Sequence, residues 1–197
     1  MKIVIISGTP GTGKTSVSKK ISELYNVKFI SLNELAISNA FNFPYDNKRD
    51  TIIIDDEKFI PYVIKKVEKI KEENPGLLII EGHFSDIIPS DYYNYIIVLR
   101  CDPDILTLRL RERGYKQEKI NENVQSEILG NCVNYFIQKE ILLPIYEINT
   151  SKLSIEVVAE IIIEKIVKND KADKYKFGKI DWLEKLFQEN RMDEFFD

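Results

Sequence analysis

The chain of 197 residues carries 28 Lys+Arg against 32 Asp+Glu, a formal net charge of −4, with 44% hydrophobic and 30% charged residues. That length suits one domain; the balance excludes a disordered or membrane-embedded chain, and the acidity excludes nucleic-acid binding through a bulk basic field. Cys101 follows an apolar run and Cys132 lies in a polar helical stretch, so the two form neither a disulfide framework nor a metal-ligand spacing, and a reducing, cytoplasmic setting is expected.

Lys2–Ser7 reads as a buried first strand and not as a secretion signal, because its apolar run is short and passes at once into a glycine-rich loop. No apolar stretch approaches the roughly 18–20 residues that a membrane span needs. After the loop, Val17, Ile21 and Leu24 recur at helical spacing, and Val27–Ile30 is a second strand. Ser31-Leu32-Asn33-Glu34 is a capping-box pattern that opens a short helix toward Asn39. Phe41–Asp50, aromatic and rich in Asn, Pro and Asp, reads as a mobile loop.

Val63, Ile64, Val67 and Ile70 mark a helix that stops at Asn74-Pro75-Gly76, and Pro61 argues for a start at Ile60. Leu77–Ile80 and Tyr95–Arg100 are strands. Asp102-Pro103 is a cap followed by proline at the first helical position, in a helix that continues to Gly114. One long helix is expected from Asn121 to Leu142, ended by Pro144, then a strand Ile145–Asn149 and a helix Ser154–Lys168. Beyond Lys168 the composition turns polar, and Asp181 caps a short helix with the apolar stripe Trp182, Leu183, Leu186 and Phe187, which reads as docking on its own core. Strands alternating with helices give an α/β class with a parallel sheet covered on both faces.

Gly8-Thr9-Pro10-Gly11-Thr12-Gly13-Lys14-Thr15 matches G-x-x-x-x-G-K-[ST] between a strand and a helix. Glycines there let successive backbone N–H groups surround phosphates, Lys14 reaches the outer phosphates and the Thr15 hydroxyl ligates Mg²⁺. Glu81, at the end of the Leu77–Ile80 strand, is the candidate carboxylate near Mg²⁺. His83, the only histidine, could orient a water or relay a proton, or could simply bond a neighbouring loop. Arg109 and Arg113, four apart on one helix face, could clamp transferring phosphates or complement the helix dipole, with Arg113 the stronger candidate and Gly114 a hinge. Asn47-Lys48-Arg49-Asp50 imitates a guanine-reading N-K-x-D pattern, but it follows an aromatic loop instead of a strand, so a regulatory GTPase is excluded.

The loop is of the adenylate kinase type. Three further segments resemble the adenylate kinase isoenzyme 6 (coilin-interacting nuclear ATPase) family: Glu81-Gly82-His83, Leu99-Arg100-Cys101-Asp102, and Arg109–Tyr115 leading into Asn123-Val124-Gln125-Ser126-Glu127-Ile128. The resemblance spans residues 1 to about 168. It implies a P-loop nucleoside monophosphate kinase fold with strand order 2-3-1-4-5, a monophosphate-binding segment at about 31–54 and a lid at about 109–119. It places ATP contacts on Gly8, Gly11, Thr12, Gly13, Lys14, Thr15, Ser16 and Arg113, and the Walker B carboxylate and motif histidine on Glu81 and His83. Glu81 is one methylene longer than the family's aspartate. Residues 169–197 lie outside the resemblance as an archaeal-type extension.

The activity implied is transfer of phosphate from ATP to AMP, with broad monophosphate tolerance, together with Mg²⁺-dependent ATPase activity. The resemblance also implies a role in late small-ribosomal-subunit maturation through transient binding of platform ribosomal protein S-eleven, with neither DNA nor membrane as partner. Two other readings stay open: an assembly ATPase whose hydrolysis acts as a timer, and a P-loop kinase of another small metabolite.

Overall fold

The computed structural model describes residues 1–38, 40–47, 51–168 and 172–196. The end of the expected helix toward Asn39, residues 48–50 of the N-K-x-D pattern, and the polar stretch from Asn169 to Lys171 lie outside them. Five strands, β1 (Lys2–Ser7), β2 (Lys28–Ser31), β5 (Leu77–Glu81), β6 (Tyr95–Arg100) and β7 (Ile145–Asn149), form a parallel sheet in the order β2-β5-β1-β6-β7. Counted within this sheet alone, that is the expected 2-3-1-4-5. A separate two-stranded ladder pairs β3 (Tyr45–Asp46) with β4 (Thr51–Ile52).

Successive strand residues point to opposite faces, and both faces are covered. Ile3 and Ile5 of β1 pack with Leu78, Ile80, Ile96 and Val98 under α3 (Asp56–Glu72) and α6 (Asn131–Gln138). Val4 and Ile6 pack on the other face with Ile79, Ile97 and Leu99, against α1 (Lys14–Tyr25) and the helix that begins as α7 (Ile155–Glu160). That last helix has the expected extent, capped by Ser154, but winds as a π-helix over Ile161–Val167. A third cluster joins α4 (Pro103–Glu112) and α5 (Gln117–Ile128) to Trp182 and Leu186 of α8 (Trp182–Gln188), so the C-terminal helix does dock on the chain's own core.

Four expectations are corrected. The long helix is two, α5 and α6, because Gly130 adopts φ 66 and ends the first; α6 itself stops at Gln138, before Pro144. Helix α3 begins at Asp56 with Pro61 inside it. The Glu57 carbonyl that proline leaves without an N–H belongs to an exposed residue, where water can satisfy it. The Phe41–Asp50 stretch is not wholly a loop over its described part: it carries β3, Phe41 stacks on Phe43 at 4.6 Å and Phe41 meets the fully buried Phe59 at 5.4 Å. Within the α8 stripe only Trp182 and Leu186 turn inward, while Leu183 and Phe187 are exposed. Helix α2 (Leu32–Ala36) carries half of its expected capping box, the Ser31 hydroxyl accepting from the Glu34 N–H at 3.3 Å. In α4, the Asp102 cap and Pro103 are as the sequence indicated.

Residues 172–196 follow the surface back across the sheet. Lys176 bridges antiparallel to Tyr146, and the Phe177 N–H donates to the Ile145 carbonyl at 3.0 Å, covering the β7 edge. The short helix α9 (Asp193–Phe196) then meets α5, where Gln125 donates to the Phe195 carbonyl at 2.6 Å. Among the described residues no helix is long and apolar enough to cross a membrane.

Candidate active site

β1 is flanked on both sides, so the connections that leave it and its neighbours diverge and open a crevice at the carboxyl end of the sheet. The phosphate loop occupies that end. Gly8 has φ 136 and lies so close to β6 that a Cβ would stand 2.4 Å from the Leu99 carbonyl oxygen; no other residue type fits. Gly13 turns the chain into α1 at φ 103, and no side chain caps that helix. The amides opening α1 are therefore left for an anion, with the positive end of the helix dipole behind them.

Lys14 is buried, and its ammonium donates to the Gly8 and Thr9 carbonyls at 2.7 and 3.1 Å, a compact pose folded across its own loop. Burial, the largest influence, holds its pKa below the usual lysine value, while neighbouring acidic groups including Glu81 and Glu127 oppose that. The parallel register sets Ile6 opposite Glu81, which brings the Glu81 carboxylate to the first turn of α1. There Oε1 accepts from the Thr15 hydroxyl at 3.0 Å, and Oε2 is buried with no partner among the described residues. A hydroxyl and a carboxylate with an orphaned oxygen form an oxygen-only donor pair that suits Mg²⁺, which favours such ligands and keeps several waters. The extra methylene of Glu81 does not prevent the contact.

A cavity of about 770 Å³ opens above the loop. Gly11, Gly13, Lys14 and Thr15 form its floor, His83 and Phe84 one wall, and Arg113, Tyr115 and Lys119 another. Asn33, Ala36, Ile37, Tyr45, Thr51, Ile52 and Ile54 also line it, as do Pro10, Glu122, Asn123 and Tyr135. Gly8 and Thr12 support the loop from behind: Thr12 is fully buried, its hydroxyl donating to the Thr9 carbonyl at 2.9 Å. Ser16 is exposed on α1 and does not line the cavity.

The two arginines part company. Arg113 lines the cavity and its guanidinium makes no hydrogen bond or ion pair with the described residues, so it is available to a ligand. Arg109 instead donates to the Thr150 hydroxyl and carbonyl at 3.2 and 2.9 Å, and Thr150 in turn donates to the Thr12 carbonyl at 2.9 Å. It buttresses the loop from behind and is absent from the cavity wall.

His83 stands edge-on to Phe84, with Nδ1 buried and without a partner among the described residues. Burial first, then the cations of Lys14 and Lys119, push its pKa down to about 4. The ring is then neutral at pH 7 and keeps one nitrogen free to accept a hydrogen bond. An NMR titration of this single histidine should give a midpoint near 4, and a midpoint above 6 would put the ring in solvent. Since the unfolded chain takes up this proton at a higher pH than the folded one, stability is full above about 6.5 and is lost as pH falls toward 4.

What sequence reasoning missed lies beneath the loop. The Thr9 hydroxyl donates to Glu127 Oε2 at 2.6 Å; Glu127 Oε1 accepts from Arg100 Nε at 2.7 Å, the Cys101 N–H at 3.0 Å and the Trp182 indole at 3.2 Å. Arg100 also pairs with Glu147. The signal was an Arg in a strand and a Glu in a helix, both within segments singled out for their resemblance but neither suspected of meeting.

A family described as an AAA domain matches residues 4–130. A Methanocaldococcus jannaschii protein named "putative adenylate kinase" is 37% identical over 93% of this chain and 94% of its own length. A protein of the same name from Methanosarcina acetivorans is 34% identical over 93% and 99%. Among solved structures, an uncharacterized protein from Eubacterium ventriosum superposes with a TM-score of 0.54 at 21% identity, covering 86% of this chain and all of that one, a likeness of fold alone.

Proposed function

The chain belongs to the P-loop family of these archaeal proteins, and from that premise we propose that it is a nucleoside monophosphate kinase that moves the γ-phosphoryl group of ATP to AMP. The observation that carries the reading is one cavity lined together by the phosphate loop with Lys14, by Arg113 and by Asn33, Tyr45 and Ile52 of the 31–54 segment. A donor on the loop and an acceptor against Asn33, Tyr45 and Ile52 would face each other across Lys14.

In the transfer, an oxygen of the acceptor phosphate bonds to the γ-phosphorus as the bridging bond to ADP breaks. Catalysis of this kind is mostly positioning and charge stabilisation. Lys14, drawn off its loop carbonyls, and Arg113 would hold the γ-phosphoryl oxygens, and Tyr115 and Phe84 would help keep water out. Thr15 and Glu81 would hold Mg²⁺, whose chemistry is neutralisation of phosphate charge. Arg109 acts through Thr150 and Thr12, as a support of the loop.

A second activity, hydrolysis, is favoured by one specific feature: the neutral His83 with its unpartnered Nδ1 on the cavity wall. An imidazole so placed suits the orientation of an attacking water. His83→Ala is expected to lose ATP hydrolysis selectively while transfer to AMP persists; unchanged hydrolysis would return the ring to a purely local role. A timer in small-subunit assembly, through a basic ribosomal protein, belongs to the same reading and is supported by the net charge of −4 and the family resemblance. Phosphate release stimulated by that ribosomal protein would support it, and a rate indifferent to it would not. Initial rates of ATP consumption with AMP, with other nucleoside monophosphates and without acceptor test the reading as a whole, with AMP expected to give the fastest rate. A rate indifferent to every monophosphate would sink the kinase assignment.

A further inference from the structure

We propose that Glu127 is a positioning residue for the phosphate loop, and that the C-terminal segment takes part in nucleotide binding by completing its hydrogen bonds through Trp182. The inference deepens the reading of the phosphate loop given above and rests on it.

Two buried carboxylates, Glu127 and Glu147, share the single guanidinium of Arg100; the three side chains are 1%, 3% and 4% exposed. Arg100 meets only Oε1 of each carboxylate, through Nε to Glu127 and Nη1 to Glu147, and gives an Nη2 N–H to the Glu127 carbonyl, so each Oε2 needs another donor, and buried acceptors left short are costly. Beside the Cys101 N–H, which also donates to Glu127 Oε1 at 3.0 Å, each carboxylate takes one donor from the C-terminal segment. The Trp182 indole reaches Glu127 Oε1 at 3.2 Å, and the Gly178 N–H reaches Glu147 Oε2 at 2.8 Å. With Oε1 held on that side, Oε2 is fixed where the Thr9 hydroxyl meets it at 2.6 Å. Thr9 is the second residue of the loop, and its carbonyl accepts from both Lys14 and Thr12. A continuous line of contacts thus runs from α8 through Glu127 to Thr9 and the lysine that meets the phosphates.

The chain's only tryptophan therefore has a polar task as well as an apolar one. Trp182 could fill the α4–α5 cluster as phenylalanine would, but phenylalanine has no N–H to offer Glu127. Lys185 of α8 pairs with Asp102, the cap of α4, at 2.6 Å and stands over the Trp182 ring at 5.6 Å; it helps hold α8 in place without touching Glu127, so its loss is a control for docking with the indole N–H kept.

The test is calorimetric titration of the 197-residue chain with Mg²⁺ and a non-hydrolysable ATP analogue as the probe for ATP, at a temperature where each variant is folded. Binding is read instead of turnover, so an absence of phosphoryl transfer to AMP would count against the kinase reading without touching this one. Thr9→Val and Trp182→Phe should each weaken ATP roughly 3–10-fold, and the double variant should be no weaker than the weaker single, because both break one line of contact. Thr9→Ser should restore wild-type affinity, a rescue that needs no change in the C-terminal segment and holds even if Trp182→Phe fails to fold. Lys185→Ala should bind ATP within about twofold of wild type even if it melts earlier. The proposal is overturned by single variants that bind like wild type, by effects that simply multiply, by failure of the Thr9→Ser rescue, or by an equal loss in Lys185→Ala.

Discussion

Lys14→Ala should abolish nucleotide turnover, lowering it by roughly 10²–10³-fold or more, the scale on which removal of one preorganised charge-stabilising group is felt. The ammonium is the only side-chain cation that the phosphate loop itself carries, and burial among loop carbonyls makes its charge count for more than it would in water. Lys14 itself lines the cavity, so water can enter where the ammonium was and bond the Gly8 and Thr9 carbonyls. The melting temperature should therefore shift by only a few degrees, and the variant should stay folded while inactive. Steady-state assays of transfer and hydrolysis beside a thermal melt check both halves. Turnover within tenfold of wild type would remove the loop from the chemistry.

Arg100→Met should strongly destabilise the fold. Burial works against the Arg100 charge, but Glu127 and Glu147 more than offset it and hold the guanidinium above its usual pKa. Without it, two carboxylates remain in a space closed by Cys101, Trp182 and the sheet, each short of a donor. Breaking a buried ion pair from one side costs about 3–5 kcal/mol. For a chain of this size that corresponds to a fall in melting temperature of roughly 6–20 °C, measured by calorimetry or circular dichroism. Breaking the surface pair Lys19–Glu34, exposed on both sides and 3.9 Å apart, should leave the melting temperature unmoved. If both variants melt alike, the network beneath the loop does not hold the structure.

Much of the fold was legible because the sheet is buried on both faces. Continuous apolar runs such as Lys2–Ser7 and Tyr95–Arg100 have no polar face to confuse them, and each is bounded by turn chemistry or a cap. The phosphate loop was legible for a different reason: its glycines are demanded by backbone geometry, as at Gly8 against the Leu99 carbonyl. Gly130 misled because a lone glycine inside an apolar period is often tolerated in a helix, and only the left-handed backbone shows that it ends one. Pro61 misled in the opposite direction, since the carbonyl it strands is solvent-facing and the helix runs through it.

The site divides along the same line. Lys14, Thr15, Glu81, His83 and Arg113 are close to their strand ends and helix termini, so local pattern placed them. Arg109 went astray because helical spacing fixes a shared face with Arg113 but not what that face meets, and here Thr150 claims it. The Thr9–Glu127–Arg100–Trp182 group was invisible because its members come from four distant parts of the chain, and nothing in the local pattern of any one reveals a buried partner. Residues 172–196 read as an appendage for the same reason: the contacts that tie them to the loop are tertiary throughout.

The most direct test of the central claim is ³¹P NMR of the products formed from ATP and AMP by the wild-type protein. The proposed transfer predicts that ATP and AMP disappear together and that ADP appears at two per ATP consumed, with little inorganic phosphate. Inorganic phosphate rising one for one with ATP loss, while AMP stays constant, would contradict it.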